Sequence, residues 1–151
     1  MGNARSSAAT AATEVLHQYA ALCFRIDSGR PKVLLITSRG TQRWILPKGW
    51  AISGLSPAET AAREAWEEAG VQGRLIGGCL GEYSYDKLFD DGSVKPCVAQ
   101  VFTLEVDQMA EVFPEQGQRR QKWLSPKKAA LRVHEPELAE ILRQFDGPGP
   151  S

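Results

Sequence analysis

Apolar and polar positions along the chain follow two alternating regimes. His17 to Ile26 and Lys32 to Ser38 are strand-like apolar runs separated by Asp27-Ser28-Gly29-Arg30-Pro31, a turn-forming cluster, and together they predict a hairpin. Arg43 to Leu46 is a further short extended piece stopped by Pro47. Arg74 to Tyr85 and Val94 to Val106 predict two long strands around the polar loop Asp86 to Ser93, and Gln121 to Leu124 a last short strand. Helical signals fall at Pro57–Ala69, Pro126–Leu131 and Pro136–Phe145. Because strands outnumber helices and one helix interrupts the strand order, the pattern predicts an α/β fold in which a mixed sheet is covered by helices. Residues 1–14, MGNARSSAATAATE, carry no periodic hydrophobe and read as a disordered tail. The folded domain is expected over 15–146, with 147–151 as a frayed end.

The chain has 151 residues, 42% hydrophobic and 24% charged, which matches one ordinary globular domain. Eighteen Lys plus Arg balance eighteen Asp plus Glu. No whole-protein field therefore draws in nucleic acid or an anionic membrane, and any polyanionic ligand must be held by local groups. No run approaches the roughly 20 consecutive apolar residues of a membrane span, and the start lacks an apolar signal core. Cys23, Cys79 and Cys97 are odd in number, and only His17 and His134 accompany them, so neither a disulfide framework nor a metal spacing emerges. Buried free thiols in a cytoplasmic protein are the expectation.

Ser56-Pro57-Ala58-Glu59 is a helix start: Ser56 can cap, Pro57 suits the first helical position and Glu59 completes a capping box. Ala58, Ala61, Ala62, Ala65 and Ala69 fall on one stripe, which lets the helix backbone pack closely. Glu64, Glu67 and Glu68 converge on another, where like charges at i, i+3 and i+4 repel. A solvated acidic face is the plain reading of such a stripe. A hard divalent cation is the other, since Mg²⁺ takes oxygen ligands from few carboxylates and keeps waters that a phosphorylated substrate can replace. Gly70 ends the helix, and Gly49 lies on the incoming Lys48-Gly49-Trp50 loop, where main chain can approach a ligand.

Gly49 followed by Arg63-Glu64-Ala65-Trp66-Glu67-Glu68-Ala69-Gly70-Val71 resembles the Nudix box, glycine then R-E-aliphatic-x-E-E-x-G-aliphatic at fixed distance. The flanking strands, the Trp123 strand and a following helix resemble a Nudix domain over Val15 to Phe145. The resemblance implies an α/β/α sandwich and hydrolysis of a pyrophosphate linkage by water attack on phosphorus. It also implies Mg²⁺ or Mn²⁺ held by Glu64, Glu67, Glu68 and the Gly49 carbonyl, with Arg63 orienting the glutamates. Glu67 and Glu115 are the candidates for the base. One box position departs: Leu55 stands where the family has a glutamate that supports the loop, leaving Glu59 or another acid as the candidate partner of Arg63.

Phosphates need local cations, and Arg39, Lys48, Arg119 and Arg120 are the candidates, with ordinary surface solvation as the plain alternative. RWILPKGW, the box and RRQKW together resemble the diphosphoinositol polyphosphate and diadenosine polyphosphate hydrolase branch. Trp50 is the best placed of four tryptophans to stack on a base, although most such rings serve packing. Other Nudix substrates (a nucleotide sugar, a damaged nucleotide, a capped RNA end) and a non-catalytic phospho-ligand sensor are the alternatives. The expected partner is a small phosphoanhydride substrate, with no membrane or nucleic acid, in a monomer or homodimer.

Overall fold

The computed structural model describes residues 14–147; the expected tail, up to residue 13, and the end beyond 147 lie outside them. Seven strands, β1 (Leu16–Asp27), β2 (Arg30–Thr37), β3 (Trp44–Ile45), β4 (Lys48–Trp50), β5 (Val71–Leu88), β6 (Val94–Met109) and β7 (Gln121–Leu124), are joined by three helices, α1 (Pro57–Ala69), α2 (Pro126–Arg132) and α3 (Pro136–Gln144). They form one mixed sheet in the order β3-β2-β1-β6-β5, with β4 on β1 and β7 on β2. The β1–β6 pair is parallel and the others are antiparallel.

The apolar run of β1 is buried from Ala20 to Phe24 because both faces of the sheet are covered. Ala20, Leu22 and Phe24 face a core shared with Leu138 and Leu142 of α3 and Ala129 of α2. Ala21 and Cys23 face Ala61, Ala65 and Ala69 of α1. That alternation is the period of a strand, and it produces the expected α/β/α sandwich. The alanine stripe does what its size allows, seating α1 against β1 and β4.

The sheet forks at β1. Its second half pairs with β2 and its first half with β4, in the register Gln18↔Trp50, Tyr19↔Gly49, Ala20↔Lys48. Lys48–Trp50, expected as loop, is therefore a strand. Its backbone hydrogen bonds run to the sheet centre, a partner too distant in sequence for local turn chemistry to announce. The β5–β6 pair is likewise longer than its apolar pattern, shrinking the expected loop to Phe89–Ser93. Cross-strand pairing carries the ladder through polar positions such as Asp86 and Lys87. Cys23 and Cys97 are buried free thiols as expected, but Cys79 is exposed, at a place where the ladder is irregular on either side.

Candidate active site

The N-terminus of α1 forms as its sequence dictates: the Ser56 hydroxyl accepts from the Glu59 N–H at 3.1 Å and the Glu59 carboxylate from the Ser56 N–H at 2.9 Å. Such a cap contributes on the order of 1 kcal/mol. It also occupies Glu59, so this acid serves the helix end rather than Arg63. At the other end Gly70 adopts φ 73°, a left-handed conformation costly for other residues, and terminates the helix.

The last carbonyls of a helix lack intrahelical partners. Here the segment between β6 and β7, together with the first residue of β7, supplies them. The Glu115 N–H donates to the Glu67 carbonyl at 2.9 Å, the Ala110 N–H to Gly70 at 2.8 Å, and the Gln121 side chain to Ala69 at 3.0 Å. Phe113 rests against Trp66 with ring centres 6.5 Å apart. These contacts staple the segment to the helix and bring Glu115 and Arg119 beside the box glutamates.

Glu68 is buried, and the carboxyl group of Glu64 lies beside it. Burial, then the hydrogen bond and charge of Glu64, push Glu68 up to about 8 against the pull of Arg119. Burial likewise raises Glu64, with Glu67 and Glu115 adding to it. The Lys48 N–H donates to Glu68 Oε1 at 3.3 Å. Gly49 is packed so closely that a Cβ there would lie 2.4 Å from the Glu64 carboxyl carbon. Among the described residues no three carboxylate, imidazole or thiol groups converge on one point; Glu64 and Glu68 meet, and Glu67 is not drawn into the same set.

These groups fit a hard divalent cation. The donors are carboxylate oxygens beside a glycine backbone, and a cation would relieve the repulsion between the neighbouring Glu64 and Glu68 carboxylates. The fit gives a direct test. Gly49→Ala is expected to cut turnover at least tenfold and to abolish the rise in melting temperature on adding Mg²⁺, because the methyl group displaces Glu64; an unchanged Mg²⁺ response in a thermal melt would refute it.

The other candidate residues separate. Arg119 has a side chain only 9% exposed; its Nε donates to Glu115 Oε1 at 3.2 Å, its Nη1 to the Thr37 carbonyl at 3.1 Å, and Nη2 lies 3.9 Å from Glu68. Arg63, expected to orient the glutamates, is exposed; the guanidinium paired with these carboxylates is that of Arg119. The helical phase of residue 63 turns it to solvent. Lys48 places its ammonium 5.0 Å from the centre of the Tyr85 ring, and burial lowers its pKa to about 8 despite Glu68. Arg39 is exposed and bonds Gln118, and Arg120 is exposed over the Trp44 ring, so neither joins the carboxylate cluster. Sequence reasoning missed Thr37, which is 1% exposed and receives both Arg119 and the Arg120 N–H. It also missed Tyr85 as the ring under Lys48.

Comparison with known proteins agrees with this geometry. A family model described as the NUDIX domain matches residues 16–145. Diphosphoinositol polyphosphate phosphohydrolase 3-alpha of Mus musculus is 33% identical over 130 residues, covering 83% of this chain and 75% of the relative. Nudix hydrolase 16, mitochondrial, of Arabidopsis thaliana is 32% identical over 77% of this chain and 66% of its own length. Among solved structures, a binary complex of C. elegans Ap4A hydrolase shares the fold with a TM-score of 0.64 at 22% identity, over 87% of this chain and 95% of that one. No helix among the described residues is long and apolar enough to cross a membrane. The chain belongs to the Nudix family and is a Nudix hydrolase.

Proposed function

We propose that this hydrolase is a Mg²⁺- or Mn²⁺-dependent pyrophosphohydrolase of a nucleoside polyphosphate, such as a diadenosine polyphosphate, or of a diphosphoinositol polyphosphate. The observation that carries the reading is the Glu64 carboxyl group packed against Gly49 beside buried Glu68, with Glu115 and Arg119 brought to the same place. The names of the relatives support the substrate class. The buried thiols of Cys23 and Cys97 suit the reducing cytoplasm.

Glu64, Glu67, Glu68 and the Gly49 carbonyl would hold the cation. When bound, it neutralises phosphate charge, acidifies the attacking water and stabilises the leaving oxygen. Glu67 and Glu115 flank Glu64 and are the candidates for the base that takes the proton of the attacking water. Arg119 fixes Glu115 and limits its rotation. Lys48, beside Glu68 and adjacent to Gly49 in the chain, offers a cation to a phosphate chain arriving there.

Mass spectrometry of products tests the reading. The EDTA-treated protein is incubated with diadenosine polyphosphates, diphosphoinositol polyphosphates, nucleoside triphosphates and nucleotide sugars, with and without added Mg²⁺. A matched pair of phosphate-ended products from the first or second class, formed only with metal, is the expected result. Products without metal, or none from either class, would overturn it.

A further inference from the structure

Eighteen cations balance eighteen acids over the whole chain, but the balance is not local. Residues 28–58 and 116–134 contain no aspartate or glutamate, and together they hold eleven of the eighteen lysines and arginines. All eighteen acids and only seven cations lie in the rest. The fold brings the two acid-free segments together. β7 pairs with β2 from Val33↔Leu124 to Ile36↔Gln121, the Arg119 side chain and the Arg120 N–H bond Thr37, and Trp44 bridges to Val133 just after α2. A chain of zero net charge is therefore polarised, with positive charge gathered along β2, β3, β7 and α2.

On this side α2 runs back from the end of β7, beside Val33, to the bridge at Trp44. Ala129 and Ala130 bury its inner face in the core. Its outer face carries Lys127, Lys128 and Leu131, which helical spacing sets side by side, followed by Arg132. Leu131 is 83% exposed. The Arg120 guanidinium lies 5.3 Å from the centre of the Trp44 ring, so Arg43, next to Trp44, and Arg132, next to Val133, gather at the same place. Lys122 follows Arg120 on the same side of β7. All six cations are exposed, and none forms an ion pair with an acid of the described residues, whereas Arg25, Arg74 and Arg143 are each paired. Six like charges around one exposed leucine repel one another, and an anionic surface would relieve them.

We propose that α2 and the adjoining β7 form a docking face for an anionic lipid bilayer, with Leu131 entering the interface while Lys122, Lys127, Lys128 and Arg132 meet the lipid phosphates. The leucine decides the class of partner. A nucleic acid would satisfy the cations through its phosphates but gives Leu131 no apolar layer to enter; a bilayer offers both at once. One leucine on a helix of seven residues buries little surface, so the attachment is mainly electrostatic, reversible and weakened by salt. None of these residues belongs to the carboxylate cluster: Arg120 turns out over Trp44 while its neighbour Arg119 turns in to Glu115. Docking is therefore separable from the chemistry.

Flotation of the full chain at low salt in EDTA, with vesicles of phosphatidylcholine alone or of phosphatidylcholine mixed with phosphatidylglycerol, tests the face. Binding to the anionic vesicles is expected to exceed binding to the neutral ones by about tenfold or more, and added salt to release the protein. Lys127→Gln combined with Lys128→Gln should lower that binding about tenfold, and Leu131→Ser about threefold, with the melting temperature unchanged because all three side chains are exposed. Equal binding to the two vesicles, or binding that survives the paired lysine change, would overturn the face. Indifference to Leu131→Ser would overturn it too, since charge alone would then suffice. Tighter binding of an oligouridine or of polyglutamate than of the anionic vesicles would replace the bilayer by a nucleic acid or an acidic protein.

Discussion

Glu67→Gln and Glu68→Gln are both expected to lower turnover at least a hundredfold, while only Glu68→Gln melts at a higher temperature than wild type in EDTA at pH 8. The loss of turnover follows from removing a carboxylate from the chemistry, where each such group supplies on the order of 10²–10⁴ in rate. The gain in stability follows from burial. Glu68 is 6% exposed and binds its proton more tightly when folded than when unfolded, with a pKa raised from 4.5 to about 8. Its contribution is complete below pH 4.5 and is lost as the pH rises to 8. Lys48 has the opposite sign: its pKa is lowered from 10.5 to about 8, so its contribution is recovered only as the pH rises from 8 toward 10.5. Metal-free wild type should therefore show a stability minimum near pH 8.

A neutral amide at position 68 removes the falling limb of that curve. Ionising a group whose pKa is shifted this far costs several kcal/mol, and the imperfect hydrogen bonds of glutamine reduce the net gain to about 2 kcal/mol. In a domain of this size that is a rise of about 6 °C. Glu67 is only half-buried, so its amide variant should melt like wild type. Mg²⁺ should raise the wild-type melting temperature and have little effect on Glu68→Gln. Melts from pH 5 to 9, with EDTA and with Mg²⁺, measure all of this. Superimposable pH curves for wild type and Glu68→Gln in EDTA would mean that the Glu64–Glu68 pair stores no repulsion for a cation to relieve.

The parts of the fold that the sequence announces are those set by neighbours along the chain. The capping box of Ser56 and Glu59, the glycine stop at Gly70 and the alanine stripe are all local, and each forms as written. Gly49 is legible only through its distance from the box, and the reason for it, a carboxyl group where a Cβ would stand, is tertiary. Lys48–Trp50 is hidden because its hydrogen bonds go to β1, about thirty residues earlier in the chain. The role of the segment between β6 and β7 is hidden for a related reason. Its N–H groups are claimed by the end of a helix some forty residues away. One local trace of it exists: Glu115 and Arg119, four apart, form an ion pair. Arg63 shows the converse, a residue fixed by the box pattern whose position on the helix surface turns it to solvent.

Arg119→Ala is expected to lower kcat about a hundredfold and leave KM within about threefold of wild type. Bound to Glu115, to the Thr37 carbonyl and at longer range to Glu68, the guanidinium has its donors directed at the protein, so it acts on substrate through the carboxylates it holds. Removing it frees Glu115 and leaves a buried carbonyl without its partner, which costs about 2 kcal/mol of stability. Lysine keeps the charge but cannot reach three acceptors in a fork, so Arg119→Lys should recover part of the stability and less than a tenth of the lost kcat. A different pattern follows if Arg119 grips a phosphate: KM would rise steeply, more for longer phosphate chains, with kcat unmoved. Steady-state kinetics of the three proteins therefore decides whether this arginine positions the carboxylates or binds the substrate.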